Sequence, residues 1–313
     1  MTTDAKRSIV VTGASGFVGR HVIAEALGRG HDVHGIARAD ASWPDRDRLS
    51  SWHVADLRDG WPAGLHADAV IHLAGLAAVG PSFAQPQQYI TANSAMMTAV
   101  GEAALAGAIG GRILVVSTGG VYAGGGETPL TEDSPLAASS PYAVSKILVE
   151  QQADYYRRRG IDTVVARPFN HIGPGQAPGF LVPDLYTALR ALPVGAPLST
   201  GNLSTRRDYT DVRDIARAYL DLIDAESLQH TTYNVSSGAS LSGLEILALV
   251  CEAIGHDLPD LVDDPARWRP TDLMEITGSS ARLRDELGWA PQRTPRTAIK
   301  DFAASRLTAS DRI

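Results

Sequence analysis

Thr12-Gly13-Ala14-Ser15-Gly16-Phe17-Val18-Gly19 is the stretch on which the fold turns. It follows an apolar run, Ser8 to Thr12, that reads as a short buried strand. It opens a segment, Phe17 to Gly28, whose apolar residues recur at helical spacing. Gly13 permits a sharp turn. Gly16 lets a pyrophosphate approach the backbone where a side chain would block it, and Gly19 lets the helix pack close to the sheet. The helix N-terminus then turns unpaired N–H groups and a partial positive charge toward the phosphates. A glycine triad alone is weak evidence. Between a strand and a helix, at the start of an alternating chain, it predicts a dinucleotide site built from Gly13, Ser15, Gly16, Phe17, Val18 and Gly19.

Outward from this loop the alternation continues. Asp32 to Ala37 reads as a second strand. Ala69 to Leu73 and Arg112 to Ser117 read as two more, with a helix-compatible stretch, Thr91 to Ala108, between them. Pro141 to Arg159 reads as a long helix, and its terminal arginines suit the negative end of the helix dipole. Thr163 to Ala166 is a further strand. Short strands, apolar throughout and alternating with helices, indicate an α/β fold: a Rossmann-type doubly wound parallel sheet covered on both faces. After Arg167 the character changes, with Gly and Pro clustered from Gly173 to Gly179 and one more strand at Thr232 to Val235. The expected division is a dinucleotide-binding domain over 1–170, rejoined by about 208–236, and a smaller interleaved substrate lobe over 171–207 and 237–313. No internal repeat at a fixed period is visible.

Composition narrows the function classes. The 313 residues are 44% hydrophobic and 20% charged, an ordinary globular balance. A net charge of -7 gives no global attraction for polyanions, so nucleic acid is not an expected partner. An anionic substrate would have to be held by local arginines and helix N-termini. The single cysteine, Cys251, lies in the apolar stretch Leu244 to Ile254 and reads as a small buried hydrophobe. The polar start, Met1 to Ser8, has no signal-peptide pattern. The most apolar long segment, Val100 to Val116, is interrupted by Glu102 and Arg112. Neither a membrane span nor a metal is expected, and the expected location is cytoplasmic.

The end of the second predicted strand bears on cofactor choice. An acidic residue there usually takes the ribose hydroxyls of NAD. Here the position is Ala37, followed by Arg38. A missing carboxylate removes repulsion toward a 2′-phosphate, and a guanidinium can grip one with two hydrogen bonds. This favours NADP(H), with NAD(H) as the alternative if Arg38 is solvated and Asp40 reaches the ribose instead. Asp56 and Leu57 are candidate adenine contacts, though Asp56 also reads as a surface carboxylate.

Tyr142-Ala143-Val144-Ser145-Lys146 places a phenol and an ammonium at i and i+4, on one face of the long helix. The nearby positive charge is expected to favour phenolate and lower the Tyr142 pKa. Lys146 is also in place to hydrogen-bond a nicotinamide ribose. Ser117 and Thr118 end a strand upstream, where a hydroxyl can orient a sugar oxygen beside the phenol.

Thr12 to Gly19, His72-Leu73-Ala74-Gly75, Ser117-Thr118 and Tyr142-x-x-x-Lys146 together resemble the extended short-chain dehydrogenase/reductase (NAD-dependent epimerase/dehydratase) family, over about Ile9 to Pro291. The resemblance implies that Tyr142 is the acid/base, Lys146 its partner and Thr118 the substrate-orienting hydroxyl. It implies that Leu73, Ala74, Gly75 and Pro168 border the cofactor. Asn93 falls where the family has a helix residue supporting the lysine. A homodimer or homotetramer is implied, with the Tyr142 helix near the interface.

Further segments resemble the GDP-mannose 4,6-dehydratase and GDP-4-keto-6-deoxymannose reductase group. These are Arg167-Pro168-Phe169-Asn170-His171-Ile172-Gly173-Pro174-Gly175-Gln176, Gly201-Asn202-Leu203, Arg207 to Asp214, Arg267 to Asp272 and Leu287-Gly288-Trp289-x-Pro291. A nucleotide-diphosphate sugar needs cationic forks, and Arg207 and Arg269 supply two. Asn170 can donate to a phosphate oxygen, and Val182 with Pro183 can wall a base pocket. Arg207 has a structural alternative, paired with Asp208 or Asp211; Arg267 reads equally as a surface residue. Tyr122 is either a substrate contact or core packing, and His171 reads as a loop-fixing residue. The dehydratases carry Thr-x-Glu, or a similar acid, where this chain reads Thr118-Gly119-Gly120, and glycine cannot abstract the C5 proton. The expectation is therefore reduction of a C4 ketone on a 4-keto-6-deoxyhexose nucleotide by NAD(P)H. An NDP-hexose 4-epimerase with tightly held NAD is the main alternative. A sugar-nucleotide 4,6-dehydratase and a non-catalytic dinucleotide sensor are further ones.

Overall fold

A computed structural model describes residues 6–124, 129–265 and 273–310. β1 (Ser8–Thr12) leads through the glycine turn into α1 (Phe17–Gly28), and the chain returns as β2 (Asp32–Ala37) and β3 (Ser51–Val54). β4 (Ala69–His72) is followed by α2 (Val79–Ala84) and α3 (Pro86–Leu105). β5 (Ile113–Val116), α4 (Pro141–Arg158) and β6 (Thr163–Pro168) come next. With β10 (Thr232–Val235) these strands form one parallel seven-stranded sheet in the order β10-β6-β5-β4-β1-β2-β3. The chain reverses direction across the sheet between β1 and β4. In open parallel sheets a ligand crevice lies at that switch point, beyond the carboxyl ends of the strands.

The apolar strands explain the layers. Ile9, Val11, Ile71 and Leu114 are fully buried on one face of the sheet, under α1 and α6 (Val212–Asp224). Val10, Val70, Ile113 and Val115 are buried on the other, under α3 and α4. Each such side chain contributes about 1.5–3 kcal/mol relative to exposure. α4 starts where Ser140 caps it, its hydroxyl accepting the Ala143 N–H at 3.1 Å, with Pro141 in the first turn.

The second lobe has its own core. It holds β7 (Asn170–Ile172), α5 (Leu181–Ala191), β8 (Leu198–Thr200), β9 (Arg206–Asp211), β11 (Ser240–Ser242), α7 (Gly243–Ile254), β12 (Leu261–Asp263), β13 (Glu275–Ile276) and α9 (Pro295–Ser310). β9 pairs with β7, β11 and β13. Residues 206–211 therefore lie in the smaller sheet. α8 (Ala281–Leu287) departs the other way. Leu283 and, after it, Trp289 bury against the large sheet's core, because Trp289 donates its indole N–H to Asp214 O on α6 at 3.1 Å. Cys251 is buried in α7. Among the described residues no helix is long and apolar enough to cross a membrane.

Candidate active site

The glycine turn has the geometry its sequence demands. Gly13 has φ +67, and a Cβ there would come 3.0 Å from Ala74 N. A Cβ on Gly16 would stand 3.0 Å from Gly13 O, and one on Gly19 would overlap that same oxygen. Thr12 locks the facing turn: its Oγ1 accepts the N–H groups of Leu73 and Ala74 at 3.1 and 3.0 Å and meets His72 Nδ1 at 2.9 Å. Above this turn lies a cavity of about 360 Å³. Gly13, residues 15–19, Leu73, Ala74 and Gly75 line one side. Arg38, Asp56 and Leu57 line the adenosine end expected from strands β2 and β3. The cradle fits a dinucleotide, since Gly13, Gly16 and Gly19 stand where a Cβ would crowd the backbone of the turn that faces the cavity.

This end of the cavity is more cationic than its sequence suggested. Asp56 is held by Arg58, whose Nε lies 2.9 and 3.0 Å from its two oxygens and whose Nη2 lies 2.6 Å from Oδ2. That fork, with weaker help from Arg38, brings the Asp56 carboxyl down to about 2. Asp56 is thus a carboxylate already engaged by a neighbour, and Arg58 joins the cavity wall beside exposed Arg38. Arg58 was not singled out in the sequence, nor was the cavity-lining role of His171, whose ring stacks on Phe17 with centroids 6.0 Å apart. The only sequence signals are their positions, two residues beyond Asp56 and one beyond Asn170.

The catalytic candidates converge at the ends of β5 and β4. Tyr142 is buried in the first turn of α4, and Thr118 is close enough to pull its phenol pKa down slightly. Thr118 Oγ1 accepts the Gly120 N–H at 3.1 Å, which leaves its hydroxyl proton free to be donated elsewhere. Lys146 is buried one turn on, and its Nζ donates to Val116 O at 2.8 Å. Asn93 accepts Leu76 N–H at 2.7 Å and donates to Ser145 Oγ at 2.9 Å, tying the β4 turn to the residue before Lys146. A Cβ on Gly75 would lie 3.6 Å from Lys146 Nζ, so the lysine borders the cavity wall. Ser117 is buried behind Thr118, and its Oγ has no hydrogen-bond partner among the described residues.

One expectation is reversed. Burial pushes Tyr142 up to about 12, against a smaller downward pull from Thr118. Burial likewise brings Lys146 down to about 8, partly countered by Glu150. The ammonium is engaged by Val116 O, and burial of the phenol sets the direction of its shift. Tyr142 therefore holds its proton at neutral pH.

The substrate-side candidates divide. Asn170 is exposed at the head of β7, in register with Tyr209 of β9. Arg207 on β9 donates from Nη1 to Arg206 O and Leu273 O, both at 2.8 Å. Tyr122 is a core residue at 3% exposure, its hydroxyl donating to Asn234 Oδ1 at 2.6 Å and its ring stacked on Phe169. Val182, 1% exposed, packs in the second lobe's core, and Pro168 is buried at the end of β6. Arg267 and Arg269 lie outside the described residues. At Thr118-Gly119-Gly120 the structure separates the two glycines. A Cβ on Gly119 would press the Phe169 ring at 3.0 Å, while one on Gly120 would meet only Thr118, at 3.4 Å. There is room for a side chain at 120, and none is present to act as a base.

A model of the NAD dependent epimerase/dehydratase family matches residues 9–236. The GDP-6-deoxy-D-mannose reductase of Pseudomonas aeruginosa is 33% identical over 301 residues, covering 93% of this chain and 94% of that one. A UDP-glucose 4-epimerase of Neisseria meningitidis serogroup A is 30% identical over 329 residues, covering 94% and 96%. The solved structure of RMD from Pseudomonas aeruginosa complexed with NADPH superposes with a TM-score of 0.81, covering 97% of this chain and 100% of that one at 30% identity.

Proposed function

The chain belongs to the NAD dependent epimerase/dehydratase family, whose enzymes pair NAD(P) with nucleotide sugars, and we propose that within it this protein reduces the C4 ketone of a nucleotide-linked 4-keto-6-deoxyhexose. The substrate we infer is GDP-4-keto-6-deoxy-D-mannose, giving GDP-D-rhamnose or its C4 epimer. The observation that carries the reading is the buried Tyr142 phenol, which burial pushes up to about 12, near Thr118 and a glycine at 120. That set gives a proton to a ketone oxygen and offers no carboxylate at 120 for elimination. The bound cofactor supplies the hydride. Tyr142 gives its proton to the C4 oxygen as charge develops there, and Thr118 steadies the same oxygen. Lys146, charged below about 8, supports the phenol from one helical turn away. Arg207, Asn170 and, outside the described residues, Arg267 and Arg269 are the proposed holders of the nucleotide diphosphate.

The test is NADPH oxidation on adding GDP-4-keto-6-deoxymannose to the purified protein, with the product sugar identified. Stoichiometric oxidation with a 6-deoxyhexose product is expected. No oxidation, with NAD retained on the protein, would instead make it a redox-neutral 4-epimerase, the reading favoured by its likeness to the Neisseria enzyme.

We further infer NADP(H) as the preferred cofactor, because Arg38 and Arg58 flank the adenosine end and no acid follows Ile36. Arg38→Ala should lower the ratio of NADPH to NADH affinity by about tenfold, the value of one charge-assisted contact. Titrating both cofactors by fluorescence reads this directly, and an unchanged ratio would place selection elsewhere.

A further inference from the structure

Behind the catalytic lysine runs a buried polar chain that the reaction above leaves without a task. Glu150 stands one helical turn beyond Lys146 on α4, and both are 7% exposed. Arg167, on β6 and 6% exposed, forks onto Glu150: Nε meets Oε1 at 3.0 Å and Nη2 meets Oε2 at 2.7 Å. The remaining guanidinium nitrogen donates to Tyr122 OH at 3.0 Å and Glu132 O at 3.2 Å, and the guanidinium carbon lies 5.0 Å from the Tyr122 ring centroid. Tyr122 in turn donates its hydroxyl hydrogen bond to Asn234 Oδ1 at 2.6 Å. Every strong donor in this chain has an acceptor, as a buried ionic group requires.

We propose that Glu150, clamped by Arg167, is a positioning residue for Lys146, supplying the buried negative charge against which its ammonium is held. The role in turnover rests on the ketoreductase reading; the charge relation does not. The groups facing Lys146 are few. From α4 they are Tyr142 and Glu150. From β5 it is the Val116 carbonyl, and from α3 it is Asn93, which reaches it through Ser145. At the end of β4 it is His72, which burial, with the lysine's own charge, pushes down to about 3, so that ring is neutral. Glu150 is therefore the one carboxylate, among the described residues facing the lysine, that offsets the cost of an ammonium in this site. Arg167 acts on the far side: it holds both carboxylate oxygens and fixes Glu150 on the lysine's face of the helix.

The experiment compares Glu150→Gln and Glu150→Asp with the parent enzyme, measuring kcat against pH and, in parallel, NADPH binding against pH by fluorescence. Gln keeps the shape and drops the charge; Asp keeps the charge. We expect the alkaline limb of kcat, set by Lys146 losing its proton, to move down by about one pH unit in Gln and to stay near the parent's in Asp. The midpoint of NADPH binding should move the same way. A purely structural role would lower kcat by one factor at every pH and leave both midpoints in place, which overturns the proposal. If Gln does not fold because Arg167 is left unpaired, Glu150→Gln/Arg167→Gln removes that charge as well, and its limb should still move down; an unmoved limb there is equally fatal. A parent protein with no turnover would sink the ketoreductase reading alone, since the binding midpoints still judge Glu150.

Discussion

Tyr142→Phe is expected to cut kcat by about 10²–10⁴-fold while leaving NADPH affinity nearly unchanged. The substitution removes one oxygen from a ring that is 8% exposed, so it opens no cavity and alters no backbone. Thr118 keeps the Gly120 N–H, so the cost to folding is at most about that of one hydrogen bond, roughly 0.5–1.5 kcal/mol. The loss in rate comes from the proton. A phenol pushed up to about 12 is a donor throughout the working range, and Phe has none to give. Cofactor affinity should be spared, because the cavity rests on the glycine turn and the β4 turn rather than on this oxygen. Steady-state rates and fluorescence titration, run on one preparation, separate the two quantities. A variant that turns over at near the parent rate would remove Tyr142 from the reaction. A parent that binds NADPH tightly yet turns over no 4-keto sugar would point to a dinucleotide sensor.

What the sequence disclosed follows what local rules control. A buried parallel strand, a glycine turn and a capped helix are each written in a few adjacent residues, so β1, α1 and α4 were legible almost to their ends. β3 was not, because Ser51 and His53 are polar and Val54, on the sheet's edge, is 59% exposed; no apolar run marks such a strand. α3 starts five residues before the predicted Thr91, since Gln87 and Gln88 carry no apolar period and Pro86 was the only start signal. At the candidate site, residue types in motif spacing singled out Thr118, Tyr142 and Lys146. Their protonation was misjudged, because the outcome depends on how deeply α4 seats the phenol and on Lys146 finding Val116 O, and neither is a local property. Tyr122 shows the same limit. It lies four residues from Thr118, yet its hydroxyl is committed to Asn234, 112 positions away. Arg58 reaches the cavity only because β2 and β3 run side by side, with Ala37 paired to Val54.

Two glycines of α1 give the second large effect, one by its loss and one by its harmlessness. A Cβ on Gly19 would overlap Gly13 O and stand 2.9 Å from Ala14 O, both backbone atoms of the cradle. Neither can swing aside as a side chain would. Gly13 O is also the acceptor for Gly16 N–H at 2.9 Å, so relief of the clash must open the turn itself. Gly19→Ala should therefore destabilise the protein by about 1–3 kcal/mol through overpacking. The same displacement moves the N–H groups that would grip a pyrophosphate, and a comparable loss in binding is about tenfold to a hundredfold in NADPH affinity. Gly28, at the other end of the same helix, would meet nothing within 4 Å on gaining a Cβ. Gly28→Ala removes a residue of poor helix propensity and should be neutral or stabilising by up to about 1 kcal/mol, with NADPH affinity unchanged. Thermal melts and fluorescence titrations on the pair make the comparison internal to one helix. Equal losses at both sites would show only that α1 tolerates no substitution. Full NADPH affinity in Gly19→Ala would mean that the dinucleotide does not lie over this turn, and the cavity would have to be assigned to something else.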